Sequence, residues 1–148
     1  MAAHTARRFV PVGLDDVLPS LPGVVGSLAK VGIVEGVEDA GDGVYRVRFR
    51  FVRLGRERVV EAMLRVRVGV GSVTLEPAEG SKPLVRIAVR VRGGNAGTHV
   101  FVEAQAKSGF MGPFGKGEVR ELAEELADRV VELIVNTLPG REGVRVVA

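Results

Sequence analysis

The stretch Val44-Tyr45-Arg46-Val47-Arg48-Phe49-Arg50-Phe51 decides how this chain folds. From Tyr45 onward the odd positions are apolar and the even ones are arginine. A strand sends successive side chains to opposite faces, so Tyr45, Val47, Phe49 and Phe51 share one face and Arg46, Arg48 and Arg50 the other. The alternation then recurs along the chain. Val60, Ala62, Leu64, Val66 and Val68 stand against Glu61, Arg65 and Arg67; Val85, Ile87, Val89 and Val91 stand against Arg86, Arg90 and Arg92. Val100, Val102, Ala104 and Ala106 stand against His99, Glu103 and Gln105. One dry face and one wet face is the pattern of an antiparallel sheet.

The spacers agree with this reading. Asp39–Gly43, Arg53–Arg56, Glu79–Lys82 and Gly93–Gly97 are short and rich in turn-forming residues. Strands are expected near 6–12, 31–38, 44–53, 57–68, 72–77, 83–92 and 98–107, the last six forming a meander. Between the first two strands, Pro19, Pro22, Gly23 and Gly26 allow only two short helices, with a break at Pro22-Gly23. From Glu118, Val119, Leu122, Ala123, Leu126, Ala127, Val130, Ile134 and Leu138 keep helical spacing, with Glu121, Glu124, Glu125, Asp128 and Glu132 on the other side. Pro139-Gly140 ends that helix. The expected architecture is one α+β domain over residues 1–148, a seven-stranded curved antiparallel sheet wrapped around a long C-terminal helix, with 139–148 as a tail.

Composition narrows the chemistry. At 148 residues and 46% apolar, the chain can bury roughly 70% of its unfolded surface and needs no staple. It has no cysteine, which excludes disulfides, thiolate catalysis and sulfur-ligated metals. No segment reads as a signal peptide or a membrane span, so a soluble, cytoplasmic protein is expected. Arginine outnumbers lysine strongly, a bias that suits a hot habitat.

The order of elements resembles the helix-grip superfamily, which includes START domains, pollen-allergen-like proteins and polyketide cyclases. Within it the chain resembles the CoxG-like family, accessory proteins of carbon monoxide dehydrogenase, on two local matches. Leu21-Pro22-Gly23 follows the first short helix, where that family has an Ile-Pro-Gly stretch. Gly109 through Leu138 matches its glycine-containing run-in and its helix ending in Asn-x-Leu, here Asn136 and Leu138. The chain departs from that family at Val17-Leu18, where a bulky aromatic is usual. The resemblance implies a ligand cavity between sheet and helix and, for the CoxG-like family, an accessory role in molybdenum hydroxylase maturation or membrane recruitment.

No catalytic constellation emerges from the residues. His4 falls in an expected frayed terminus and His99 on the wet parity of a strand, so neither is placed beside a nucleophile. Glu124 and Glu125 are neighbours on a helix and diverge by about 100°, so they form no paired-carboxylate site. The Gly109–Gly117 stretch lacks the glycine spacing and the hydroxyl of a phosphate loop. No metal site and no cofactor are expected. A cyclase or hydrolase of this fold would need polar groups inside, such as His99 or Gln105.

Two surfaces remain. From Val44 to Arg92 eleven arginines and one lysine face Glu57, Glu61, Glu76 and Glu79, whereas Glu118 to Glu132 holds six acids against Arg120 and Arg129. The basic face, with Arg46, Arg48, Arg50, Arg65, Arg67, Arg86, Arg90 and Arg92, could meet an anionic membrane, a partner protein or nucleic acid. Nucleic acid is disfavoured because Tyr45, Phe49 and Phe51 lie on the opposite parity, unavailable for stacking. The other surface is internal. Ala104 and Ala106 on the last strand and Ala123 and Ala127 on the helix either leave space or bring helix and sheet together. The helix-grip resemblance implies space, bounded by Phe49, Phe51, Leu64, Val66, Leu126 and Val130 and gated by Phe110, Met111 and Phe114. The expected function is non-enzymatic binding of an apolar small molecule there, with a scaffold or anion-binding role for the arginine face as the alternative.

Overall fold

In a computed structural model the described residues are 2–53, 55–79, 84–107 and 116–138. Seven strands form one antiparallel sheet: β1 (Ala2–Val10), β2 (Val34–Gly41), β3 (Val44–Arg53), β4 (Arg56–Gly69), β5 (Ser72–Pro77), β6 (Leu84–Gly93) and β7 (Thr98–Lys107). Their spatial order is β1-β7-β6-β5-β4-β3-β2. The last six strands are thus a continuous meander, and β1 closes the far edge by pairing with β7. Between β1 and β2 lie two one-turn helices, α1 (Leu14–Val17) and α2 (Val24–Ser27), each continued by a 3₁₀ turn, Leu18–Gly23 and Leu28–Lys30. Pro22 sits in the first 3₁₀ turn and α2 begins just after Gly23, so the break falls where the sequence places it.

The register carries the alternation across the sheet. Tyr45 faces Leu64, Val47 faces Ala62 and Phe49 faces Val60; farther along, Val66 faces Leu75, Leu75 faces Ile87 and Ile87 faces Ala104. All of these share the inner face, and apart from half-buried Tyr45 and Val66 all are buried. Burying each of the valine, leucine, isoleucine and phenylalanine side chains contributes about 1.5–3 kcal/mol.

Helix α3 (Lys116–Asn136) packs against β1 and β7 and touches α2. It buries Leu122, Leu126, Val130, Val131 and Ile134 completely or nearly so. The opposite flank of the inner face is covered by short pieces: α1 lies on β6, the Leu18–Gly23 turn on β5 and the Leu28–Lys30 turn on β2.

The first two strands differ most from the sequence expectation. β1 begins at Ala2 rather than near residue 6, and His4 is therefore in a paired strand, opposite Ala104, not in a frayed end. Its ring lies 3.0 Å from Asp128 on α3, and Arg8 reaches Glu132 at 2.6 Å. β2 begins at Val34 because Val31 and Val34 first close tight turns, donating to the carbonyls of Leu28 and Val31. The phenylalanine- and methionine-bearing run 110–114 and the tail 139–148 lie outside the described residues.

Candidate functional site

The inner face gathers the expected lining residues from four elements. Phe49 and Phe51 come from β3, Leu64 and Val66 from β4, Ala104 and Ala106 from β7, and Ala123, Leu126, Ala127 and Val130 from α3. Val66 is half-buried; none of the others exposes more than 4% of its surface. Side chains bordering a void that admits water keep accessible surface, so at these positions the interior is closed upon itself. The alanines have a structural effect here: with Ala104, Ala106, Ala123 and Ala127 all buried, α3 lies close on β7. The expected gate, Phe110, Met111 and Phe114, falls outside the described residues.

The interior is nearly without polar groups. Among the described residues the one buried polar side chain is Thr98, and its hydroxyl already donates to the Val12 carbonyl at 2.7 Å. His99 and Gln105, the groups a cyclase or hydrolase would have needed inside, both lie on the outer face. His99 lies beside Phe9 with ring centroids 5.0 Å apart, and Gln105 donates to Glu103 at 3.2 Å. No three ligating side chains cluster among the described residues. No helix there is long and apolar enough to cross a membrane.

A separate cleft of about 200 Å³ opens where the end of β1 meets the end of α3, lined by Arg8, Phe9, Val10, Val12, Val135 and Leu138 among others. Residue patterning does not reveal it, because it depends on how far α3 runs past the strand.

The arginines stand on the outer face, but most have acidic partners. Arg46 lies 3.0 Å from Glu38 and 3.2 Å from Glu61; Arg48 lies 3.4 Å from Glu38; Arg50 lies 3.0 Å from Glu57. Arg67 meets Glu76 at 2.8 Å and Arg86 meets Glu103 at 3.8 Å. Arg65 donates to the Asp42 carbonyl at 3.2 Å. Glu38 and Glu103 belong to β2 and β7, outside the Val44–Arg92 stretch in which the arginines outnumber the acids. The basic field is thus weaker over β3 and β4 than arginine counting suggests. Arg90 and Arg92 differ: neither has a carboxylate among these ion pairs, and they border an open recess of about 450 Å³ with Arg7, Val91 and Phe101.

No family model matches the chain, and no curated protein matches it. Solved structures do. A START superfamily protein from Mycobacterium smegmatis superposes with a TM-score of 0.63 at 9% identity, over 90% of this chain and 94% of that one. DR_A0006 from Deinococcus radiodurans gives 0.61 at 13% identity, over 89% and 93%. The Zhui aromatase/cyclase from Streptomyces sp. R1128 gives 0.51 at 16% identity, over 90% and 88%. The chain has the helix-grip fold. At these identities the likeness concerns the fold alone, and the narrower resemblance to the CoxG-like family gains nothing from it.

Proposed function

We propose that this protein binds a hydrophobic or weakly amphipathic small molecule against the inner face of the sheet, in room opened when the short elements over β5 and β6 move aside, holding it without reacting with it. The observation that carries this reading is the chemistry of the inner face. Its buried part offers a guest no described charge and one hydroxyl that is already engaged; His4 and Arg8 of β1 stand at its margin, paired with Asp128 and Glu132. A polar guest would lose its hydrogen bonds to water and find none inside, a cost of about 1–3 kcal/mol per group. An apolar guest loses nothing comparable and gains about 25 cal/mol for each Å² taken from water.

The way in follows from what covers the sheet. α3 is a long helix held on β1 and β7, while the β5–β6 flank is roofed by α1 and the Leu18–Gly23 turn. A one-turn helix has few internal hydrogen bonds and does not persist by itself, so this roof is held by its buried side chains, Val17 and Leu21 among them, and its displacement is the route in that this reading requires. Val66, half-buried on the inner face of β4, is among the described residues the expected lining residue that keeps the most accessible surface.

The test is uptake of N-phenyl-1-naphthylamine, a neutral fluorophore that the arginines do not attract. The wild-type protein is expected to take up one molecule saturably. Val66→Trp is expected to weaken uptake roughly tenfold, by occupying the space one bound ring would need. Equal uptake by a folded Val66→Trp protein, or none by the wild type, would remove the proposal.

A further inference from the structure

The outer face of the sheet carries a second array that the inner face does not explain. Register fixes it as two rows across three strands. In the first row Arg7 of β1, Phe101 of β7 and Arg90 of β6 stand side by side; in the second, Phe9, His99 and Arg92 do the same. Neighbouring strands lie about 4.8 Å apart and same-face residues along a strand about 7 Å apart, so six side chains form one compact plate.

The rings of that plate contact one another. Phe9 and His99 have centroids 5.0 Å apart, His99 and Phe101 are stacked at 6.2 Å with planes 27° apart, and the Arg92 guanidinium lies 5.7 Å from the Phe101 ring centre. Phe9 leaves 48% of its surface exposed on this wet face. Arg7, Arg90 and Arg92 are exposed, and unlike Arg46, Arg48, Arg50, Arg67 and Arg86 they have no carboxylate within ion-pairing distance among the described residues. The nearest acid along β7, Glu103, is engaged by Arg86 and Gln105. A recess runs through the array between Arg7, Arg90, Arg92 and Phe101.

An exposed Phe9 ring beside the half-buried rings of His99 and Phe101, flanked by unneutralised guanidiniums, is what a polyanion of stacked planar groups requires. Every base has a face that can lie on a ring, and every linkage has a phosphate that a guanidinium can neutralise. A lipid surface would use the charges but leave the rings without planar partners, and duplex DNA hides its base faces. We propose that single-stranded nucleic acid binds here, on the outer face of β1, β7 and β6, with bases on Phe9, His99 and Phe101 and phosphates on Arg7, Arg90 and Arg92. The inward parity of Tyr45, Phe49 and Phe51, which disfavours nucleic acid on sequence alone, leaves these outer rings out of account. The outward rings come instead from Phe9 and Phe101, on strands whose wet faces carry few arginines.

A labelled deoxythymidine decamer titrated between about 50 and 200 mM salt tests this. The logarithm of the binding constant is expected to fall against the logarithm of salt with a slope near –2, about 0.7 for each of three phosphates on a single strand. Phe101→Ala should weaken binding roughly tenfold and leave the slope alone. Arg7→Gln with Arg90→Gln should flatten the slope by about 1.4, whereas Arg48→Gln, whose partner is Glu38, should bind as the wild type does. Four outcomes overturn the proposal. They are no binding at low salt, unaltered binding by the folded Phe101 and Arg7/Arg90 variants, displacement of the decamer by an equal nucleotide concentration of thymidine monophosphate, or binding to phosphatidylserine vesicles without binding to the decamer. The wild-type slope and the monophosphate competition decide the matter even where a variant fails to fold.

Discussion

Gly97 shows what one absent side chain does for this fold. It closes the turn from β6 to β7, accepting a hydrogen bond from the Gly94 amide at 2.8 Å. A Cβ at Gly97 would run into the Val10 carbonyl and come within 2.9 Å of Phe9 Cζ and Pro11 Cα. The Val10 carbonyl and Pro11 Cα are backbone, so they cannot step aside as a side chain would. Gly97→Ala is expected to cost about 1–3 kcal/mol as an overpacked contact, read by chemical denaturation. Gly23→Ala is its counterpart. Gly23 has a helical backbone and open space around its Cβ position, so alanine there should stabilise by about 0.4–1 kcal/mol. In the sequence both glycines read as punctuation. Composition marks a turn, but it does not say which distant backbone the turn lies against.

At the scale of elements, the strands of the meander were legible because a period of two admits one register per buried face. β3, β5 and β7 begin and end where alternation places them. β1 was legible only in part. Its inner face mixes Ala2, Ala6 and Val10 with His4 and Arg8, and those two meet Asp128 and Glu132 at the margin of α3 instead of being buried. A charged residue satisfied by another element is invisible to hydrophobic periodicity. The alanines of α3 were legible as small but not as to purpose, because a gap and a close approach demand the same residue. Ala127→Leu separates the two. With Ala127 fully buried and α3 lying on β7, the substitution should destabilise by about 1–3 kcal/mol; a neutral or stabilising result would mean unfilled room behind the helix. By contrast, Arg8→Ala removes an ion pair whose members are both near half exposed and should cost under about 1 kcal/mol.

On the scale of the whole molecule, the sheet is a wall between two environments, and each proposed site uses one side of it. The dry side was readable as a candidate site because its residues alternate. The outer array was not, because its six side chains come from three strands and become neighbours only through the pairing of β1 with β7 and β7 with β6. Each ligand that binds the folded chain alone stabilises it by mass action, about 2.7 kcal/mol at a hundredfold excess over its dissociation constant. For a chain of this length each kcal/mol raises the melting temperature by about 2–4 °C, so either ligand should raise it by roughly 5–10 °C. The two sites touch opposite faces of the same strands and share no side chain. The naphthylamine and the decamer together should therefore shift stability by nearly the sum of their separate effects in free energy, with coupling close to zero. Thermal melts with each ligand and with both measure this directly. If the fluorophore releases the decamer, or the pair stabilises no more than one alone, both occupy a single place and the division of labour between the faces is lost.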